Sequence, residues 1–163
     1  MRKLLAFLCL MMLLLSGCGK APVETTEPEA LEYTFRALLS GRELDLSGPV
    51  LISSITELAA AEAQWEVDLS VNLPNGDPYT EAFFRDSSLL LVQGSCSFIP
   101  QAFWVERVEK EQRRITVYAV QGEPTGGDDA FGHCLMGLEL KKTDAEGCDF
   151  TVEFLKQPVI LAY

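Results

Sequence analysis

The chain has 163 residues, 48% of them apolar and 23% charged, with 24 acidic against 13 basic side chains and a formal net charge of −11. That composition excludes a disordered or collagen-like polymer, and the length suits one ordinary hydrophobic core. The acidic excess argues against a nucleic-acid partner, whose phosphates it would repel.

The N-terminus reads as an address. Arg2 and Lys3 form a positive start, Leu4–Leu15 is an unbroken apolar run, and small residues follow, which are the three parts of a bacterial secretion signal. The run is shorter than the roughly 20 apolar residues that cross a bilayer as a helix. It ends in Leu15-Ser16-Gly17-Cys18, which resembles the lipobox of bacterial lipoproteins. The resemblance implies that residues 1–17 are a signal peptide cut just before Cys18, and that a diacylglycerol is attached to the Cys18 thiol. The protein is then expected on the extracytoplasmic face of the cell membrane, tethered by lipid. Two acyl chains on one residue meet the requirement for stable anchoring. Residues 18–30 complete the tether. Gly19–Ala30 holds two prolines, two threonines, three glutamates and no large aromatic residue, so an extended acidic spacer is expected, held off anionic headgroups.

Residues 31–163 read as a single folded domain. Tyr33–Leu39 mixes β-branched and aromatic residues before the turn signal Ser40-Gly41, and Val50–Ile52 is a second short apolar run, so both read as strands. Ser54-Ile55-Thr56-Glu57 has the form of a capping box. Ile55, Leu58, Ala61 and Trp65 follow within one helical arc, which predicts a helix over Ile55–Trp65. Leu73–Pro78 is turn chemistry, and Thr80–Phe84 reads as one helical turn. Leu89–Val92 is continuously apolar, as in a strand buried on both faces, with Gly94 closing it. Ala102–Glu109 and Arg114–Gln121 flank a charged tip and read as a hairpin. In Phe131–Lys142, Cys134, Met136, Leu138 and Leu140 alternate with more polar neighbours, and in Cys148–Lys156 so do Phe150, Val152 and Phe154. Together these two read as an antiparallel pair covered on one side. The expected fold is α+β and mostly β: an antiparallel sheet of about six or seven strands with one packed helix.

From Phe83 the order is Phe-Phe-Arg-Asp-Ser-Ser-Leu-Leu-Leu-Val, a step at Gly94-Ser95, and a hairpin ending Ile115-Thr116-Val117-Tyr118. Pro124-Thr125-Gly126-Gly127 and a strand pair opening near Phe131-Gly132-His133 follow. Over residues 83–157 this spacing resembles the C-terminal domain of the protease-complex subunit PrcB. Where that domain carries Thr-Gly-Gly-aromatic after its first buried strand, this chain has Gly94-Ser95-Cys96-Ser97-Phe98. The resemblance implies an accessory or stabilising subunit of an envelope protease complex, and it brings no catalytic residues.

No motif of nucleophilic, phosphate-binding or zinc-protease chemistry occurs in the chain. His133 is the only histidine. Its neighbour Cys134 points to the opposite strand face, so the two form no local dyad; a dyad of Cys96 with His133 stays geometrically open, but a strand histidine without a catalytic role is the expectation, and no enzyme is expected. Asp128 and Asp129 lie in a Gly-rich stretch and, with His133 and Asp77 as a further candidate, offer oxygen and nitrogen ligands for Ca²⁺. Aspartate turns also arise for backbone reasons alone. Phe98, Phe103 and Trp104 cluster around an irregular stretch; they either close one end of the core or present aromatic faces to a peptide or wall glycan.

Three cysteines follow Cys18: Cys96, Cys134 and Cys148. With Lys142 opposite Cys148 in the expected hairpin, Cys134 and Cys148 stand roughly 26 Å apart along the ladder. That is far beyond the roughly 7 Å Cα limit of a disulfide. A disulfide, where one forms, therefore joins Cys96 to Cys134 or Cys148; otherwise the thiols are buried and reduced. The expected function is a non-enzymatic surface module that binds another envelope protein or peptide, by pairing with an exposed sheet edge. The alternative is a binder of a small envelope ligand, a wall glycan or Ca²⁺.

Overall fold

A computed structural model describes residues 27–40, 43–69, 79–97, 103–124 and 131–159. Its elements in chain order are β1 (Glu29–Ala30), β2 (Tyr33–Ser40), β3 (Val50–Ile52), α1 (Ile55–Trp65), α2 (Phe83–Asp86), β4 (Ser87–Ser97), β5 (Phe103–Glu111), β6 (Arg114–Pro124), β7 (Phe131–Lys141), α3 (Lys142–Ala145) and β8 (Asp149–Val159). The class is mostly β with helices added, as the sequence implies. The sheet itself differs from expectation. Among the described residues the strands form two four-stranded sheets, ordered β1-β5-β6-β8 and β2-β7-β4-β3, in place of one sheet of six or seven.

The two sheets share a sandwich core. Leu90 and Val92 of β4, with Met136, Leu138 and Leu140 of β7, meet Phe103, Val105 and Val108 of β5 and Ile115, Val117 and Ala119 of β6. A second layer lies on the other face of the β2-β7-β4-β3 sheet. There Leu89, Leu91 and Leu135 pack against Leu58, Ala61 and Trp65 of α1 and Phe84 of α2. β4 is thus covered on both faces, and Leu89, Leu90 and Leu91 are fully buried. That is why its sequence is continuously apolar rather than alternating. Each such leucine contributes about 1.5–3 kcal/mol of transfer free energy.

β4 does not stop at Gly94; it pairs with β7 as far as Ser97. A Cβ on Gly94 would fall within the ring of Phe103, so this glycine permits close packing inside the strand instead of ending it.

The last two strands need the largest correction. β7 lies between β2 and β4, whereas β8 pairs with β6, in parallel, in the other sheet. The turn of α3 and the left-handed Gly147 (φ 68°) carry the chain from one sheet to the other. Both strands show a two-residue alternation because both face the same sandwich core, from opposite sides. Alternation reports which face is apolar, not which strand is the neighbour.

At the other end of the chain, Glu29–Ala30, within the acidic stretch, pairs with Lys110 and Glu109 of β5. The helix begins as its capping box predicts: Ser54 Oγ accepts from Glu57 N–H at 3.2 Å. The Glu57 carboxylate accepts from Ser53 N–H at 2.6 Å, one residue earlier than the usual reciprocal bond. The β5–β6 turn is tighter than the charged run implied, with Gln112 left-handed (φ 56°) between Glu111 and Arg113.

Candidate functional site

β3 is short and pairs with β4 only from Leu89 to Leu91. Beyond Leu91, among the described residues, that side of β4 has no strand beside it. Side chains take over instead. Leu44 N–H donates to Gln93 Oε1 at 2.7 Å, and Gln93 Nε2 donates to Leu44 O at 3.0 Å. The Gln121 amide of β6 donates to Ser95 O of β4, linking the two sheets.

These bonds border a groove of about 200 Å³ lined by Glu43, Gln93, Gly94, Ser95, Gln121, His133 and Phe154. His133 stands opposite Ser95 in the β4–β7 ladder. Its Nε2 is 3.5 Å from a carboxylate oxygen of Glu43, whose side chain is 69% exposed. The two-ended clamp of Gln93 on Leu44 fixes the backbone next to Glu43. Phe154, which also lines the groove, stacks on Phe103, with centroids 6.0 Å apart and planes at 20°. Phe154 lies opposite Ala119 in the parallel β6–β8 ladder, so it belongs to the sandwich-facing row. Even so it is 43% exposed, the one exposed large apolar side chain among the described residues.

The structure regroups the residues picked out in the sequence. Phe103 is buried in the sandwich core, whereas Trp104, its neighbour on β5, points to the opposite face and is only partly buried. Phe103 and Trp104 therefore do not form one aromatic platform, and Phe98 lies outside the described residues. Asp77, Asp128 and Asp129 also lie outside them, as do Cys18, the signal segment and the turn Leu73–Pro78. His133 has Glu43 as its acidic neighbour, and no cluster of three metal-ligating side chains occurs among the described residues.

Cys134 is buried and Cys148 is partly buried, and the two are not bridged to each other. The Cys148 thiol donates to Asp144 O at 3.3 Å. Cys148 follows α3 at the end of the sandwich where Lys141 faces Ser87, whereas Cys96 is nine residues further along β4. At about 3.3 Å per residue that separation is near 30 Å, which removes the Cys96–Cys148 pairing. Cys96 and Cys134 are diagonal neighbours, because Cys96 faces Gly132 and Cys134 faces Gly94.

No match was found. No family model, no curated protein and no solved structure matches this chain at a significant level. The groove is therefore read from its own chemistry. Glu43, Gln93, Gln121 and Phe154 were not singled out in the sequence. Phe154 carried a usable signal, as the last apolar member of an alternating row. The two glutamines carried none, since an isolated Gln in a strand reads as a solvated face.

Proposed function

We propose that the chain is an extracytoplasmic lipoprotein, anchored through Cys18, whose β domain binds an extended segment of another envelope protein by adding it as a strand to β8. One observation carries the reading. β8 is eleven residues long, and among the described residues it pairs with β6 on one side only. Long open edges are normally blunted. Here Lys156, on the sandwich-facing row, and Pro158 interrupt the C-terminal part, which leaves Asp149–Leu155 as a run suited to a short partner strand. Backbone N–H and C=O groups on such an edge give affinity, and alternate side chains give selectivity. A role as accessory subunit of an envelope protease complex follows from the resemblance of residues 83–157 to the PrcB C-terminal domain.

The test is photo-crosslinking in the native envelope, with a benzoyl-phenylalanine placed at Glu153 on β8 or at Ala59 on α1. The edge reading expects a discrete protein adduct from position 153 and none from position 59; the reverse pattern sinks it. Cys18→Ala should leave the protein as unacylated precursor or release it to the medium. Normal processing and membrane retention of that variant would overturn the anchor.

A further inference from the structure

The groove sits beside the part of β8 that a partner strand would occupy, and it has a chemical bias. We infer that it receives a cationic side chain, lysine or arginine, projecting from an extended peptide paired to β8; this rests on the edge reading above and adds the selectivity to it.

Three observations converge on a cation. Phe154 has one ring face against Phe103 and remains 43% exposed, so the other face offers a π surface in the range where cations are attracted. The Glu43 carboxylate also lines the groove, 69% exposed and 3.5 Å from His133 Nε2. The rest of the described lining is glycine, serine, two glutamines and His133. Each of the Gln93 and Gln121 amides already gives one hydrogen to a backbone carbonyl, Leu44 O and Ser95 O respectively. The chain as a whole carries a net charge of −11, which favours encounter with a basic partner. A lysine or arginine stem fits along Phe154 while its charged head meets Glu43, the usual division of such side chains between apolar and polar surroundings.

The experiment uses the full chain in mild detergent and three acetylated, amidated heptapeptides of alternating threonine and valine. They differ only in a central lysine, norleucine or glutamate. Binding is read by fluorescence anisotropy and by amide hydrogen exchange along β8. The lysine peptide should bind about tenfold tighter than the norleucine peptide, the scale of one cation–π contact with one partly screened ion pair. The glutamate peptide should bind weakest. In Glu43→Gln, checked for an unchanged thermal midpoint, the lysine preference should shrink while protection of β8 persists. Phe154→Leu should reduce the preference further. Equal affinity of the lysine and norleucine peptides, with β8 still protected, overturns the groove assignment and leaves the edge reading standing. A lysine preference that survives both substitutions overturns the groove assignment as well. Absence of β8 protection by all three peptides overturns both.

Discussion

The ring of Phe103 occupies the space that a side chain on Gly94 would fill. Gly94 lies mid-strand in β4, paired with Cys134, and Phe103 opens β5 in the facing sheet. The strand therefore stays regular while the two sheets approach closely at the end bearing the groove. Gly94→Ala should destabilise the fold by about 1–3 kcal/mol, the usual cost of forcing extra volume into a packed core. Urea denaturation at neutral pH measures it. Phe103→Leu in the Gly94→Ala background should recover part of the loss, because the smaller side chain vacates the contested volume. Since Phe103 also backs Phe154, Gly94→Ala should disturb the groove as well as the core. An unchanged urea midpoint in Gly94→Ala would show that the ring yields freely.

The start of α1 offers a cleaner local test. Ser54 Oγ accepts the Glu57 N–H, and Glu57 returns a bond to Ser53 N–H. Ser54→Ala removes the first acceptor and should cost about 0.5–2 kcal/mol. Ser54→Asp should retain most of the stability, since Asp is an equally good N-cap and suits the positive end of the helix. Equal losses from both substitutions would mean that the cap contributes nothing specific.

This cap was legible because its chemistry is local: four consecutive residues contain all of it. Leu89–Val92 was legible for a related reason, since a strand covered on both faces must be apolar at every position. The partition into two sheets was not. Phe150, Val152 and Phe154 carry the same alternation whether β8 lies beside β7 or across the sandwich from it, and α3 with Gly147 makes the choice. The groove was least visible. Gln93 and Gln121 act through bonds to Leu44 and Ser95, contacts 49 and 26 residues apart in sequence that no spacing rule anticipates. His133 and Phe103 were both singled out, but for a metal and an aromatic platform. In the fold they flank the same groove, one beside Glu43 and the other behind Phe154.

Tyr79 predicts an alkaline limb of stability. It is buried, and its hydroxyl lies near the Glu139 carboxylate without a well-formed hydrogen bond. Burial first, and then the negative field of Glu139, push its ionisation far above the ordinary value of 10. The neutral phenol is the form the fold accepts. Stability from this group is therefore fully present below pH 10 and falls as pH rises toward the folded-state value, because only the unfolded chain ionises readily. The expected slope is about 1.4 kcal/mol per pH unit above 10. Burial also raises the ionisation of Tyr33, so the limb has more than one source. Tyr79→Phe isolates its share: the stability of the variant relative to the parent should rise by about 1.4 kcal/mol between pH 8 and pH 11. Urea midpoints at the two pH values decide it, and parallel pH profiles would refute the assignment.

Lys142 makes the last prediction, and it concerns how the helical layer is held to the sandwich. It opens α3, and its ammonium donates to Ser53 O and to Phe84 O, each at 3.0 Å. Ser53 lies just before α1, and Phe84 lies within α2. One side chain therefore ties three helical segments together at the end of the sandwich opposite the groove. Both acceptors are backbone carbonyls in a half-buried setting, and hydrogen bonds to a charged donor are the stronger kind. Lys142→Met keeps the aliphatic stem and removes both donors. It should cost about 2–3 kcal/mol, less than the sum of two independent bonds because water reaches the exposed side. A global loss alone would not distinguish a tie from ordinary packing, so the readout is amide exchange by residue. If the ammonium is the tie, exchange at the start of α1 and in α2 should accelerate together in Lys142→Met, with β4 and β6 nearly unchanged under native conditions. Uniform acceleration across helices and strands would assign Lys142 to general packing. Lys142→Arg separates the roles further: the planar fork retains the charge but cannot aim a single centre at two diverging carbonyls, so it should restore the stability only in part.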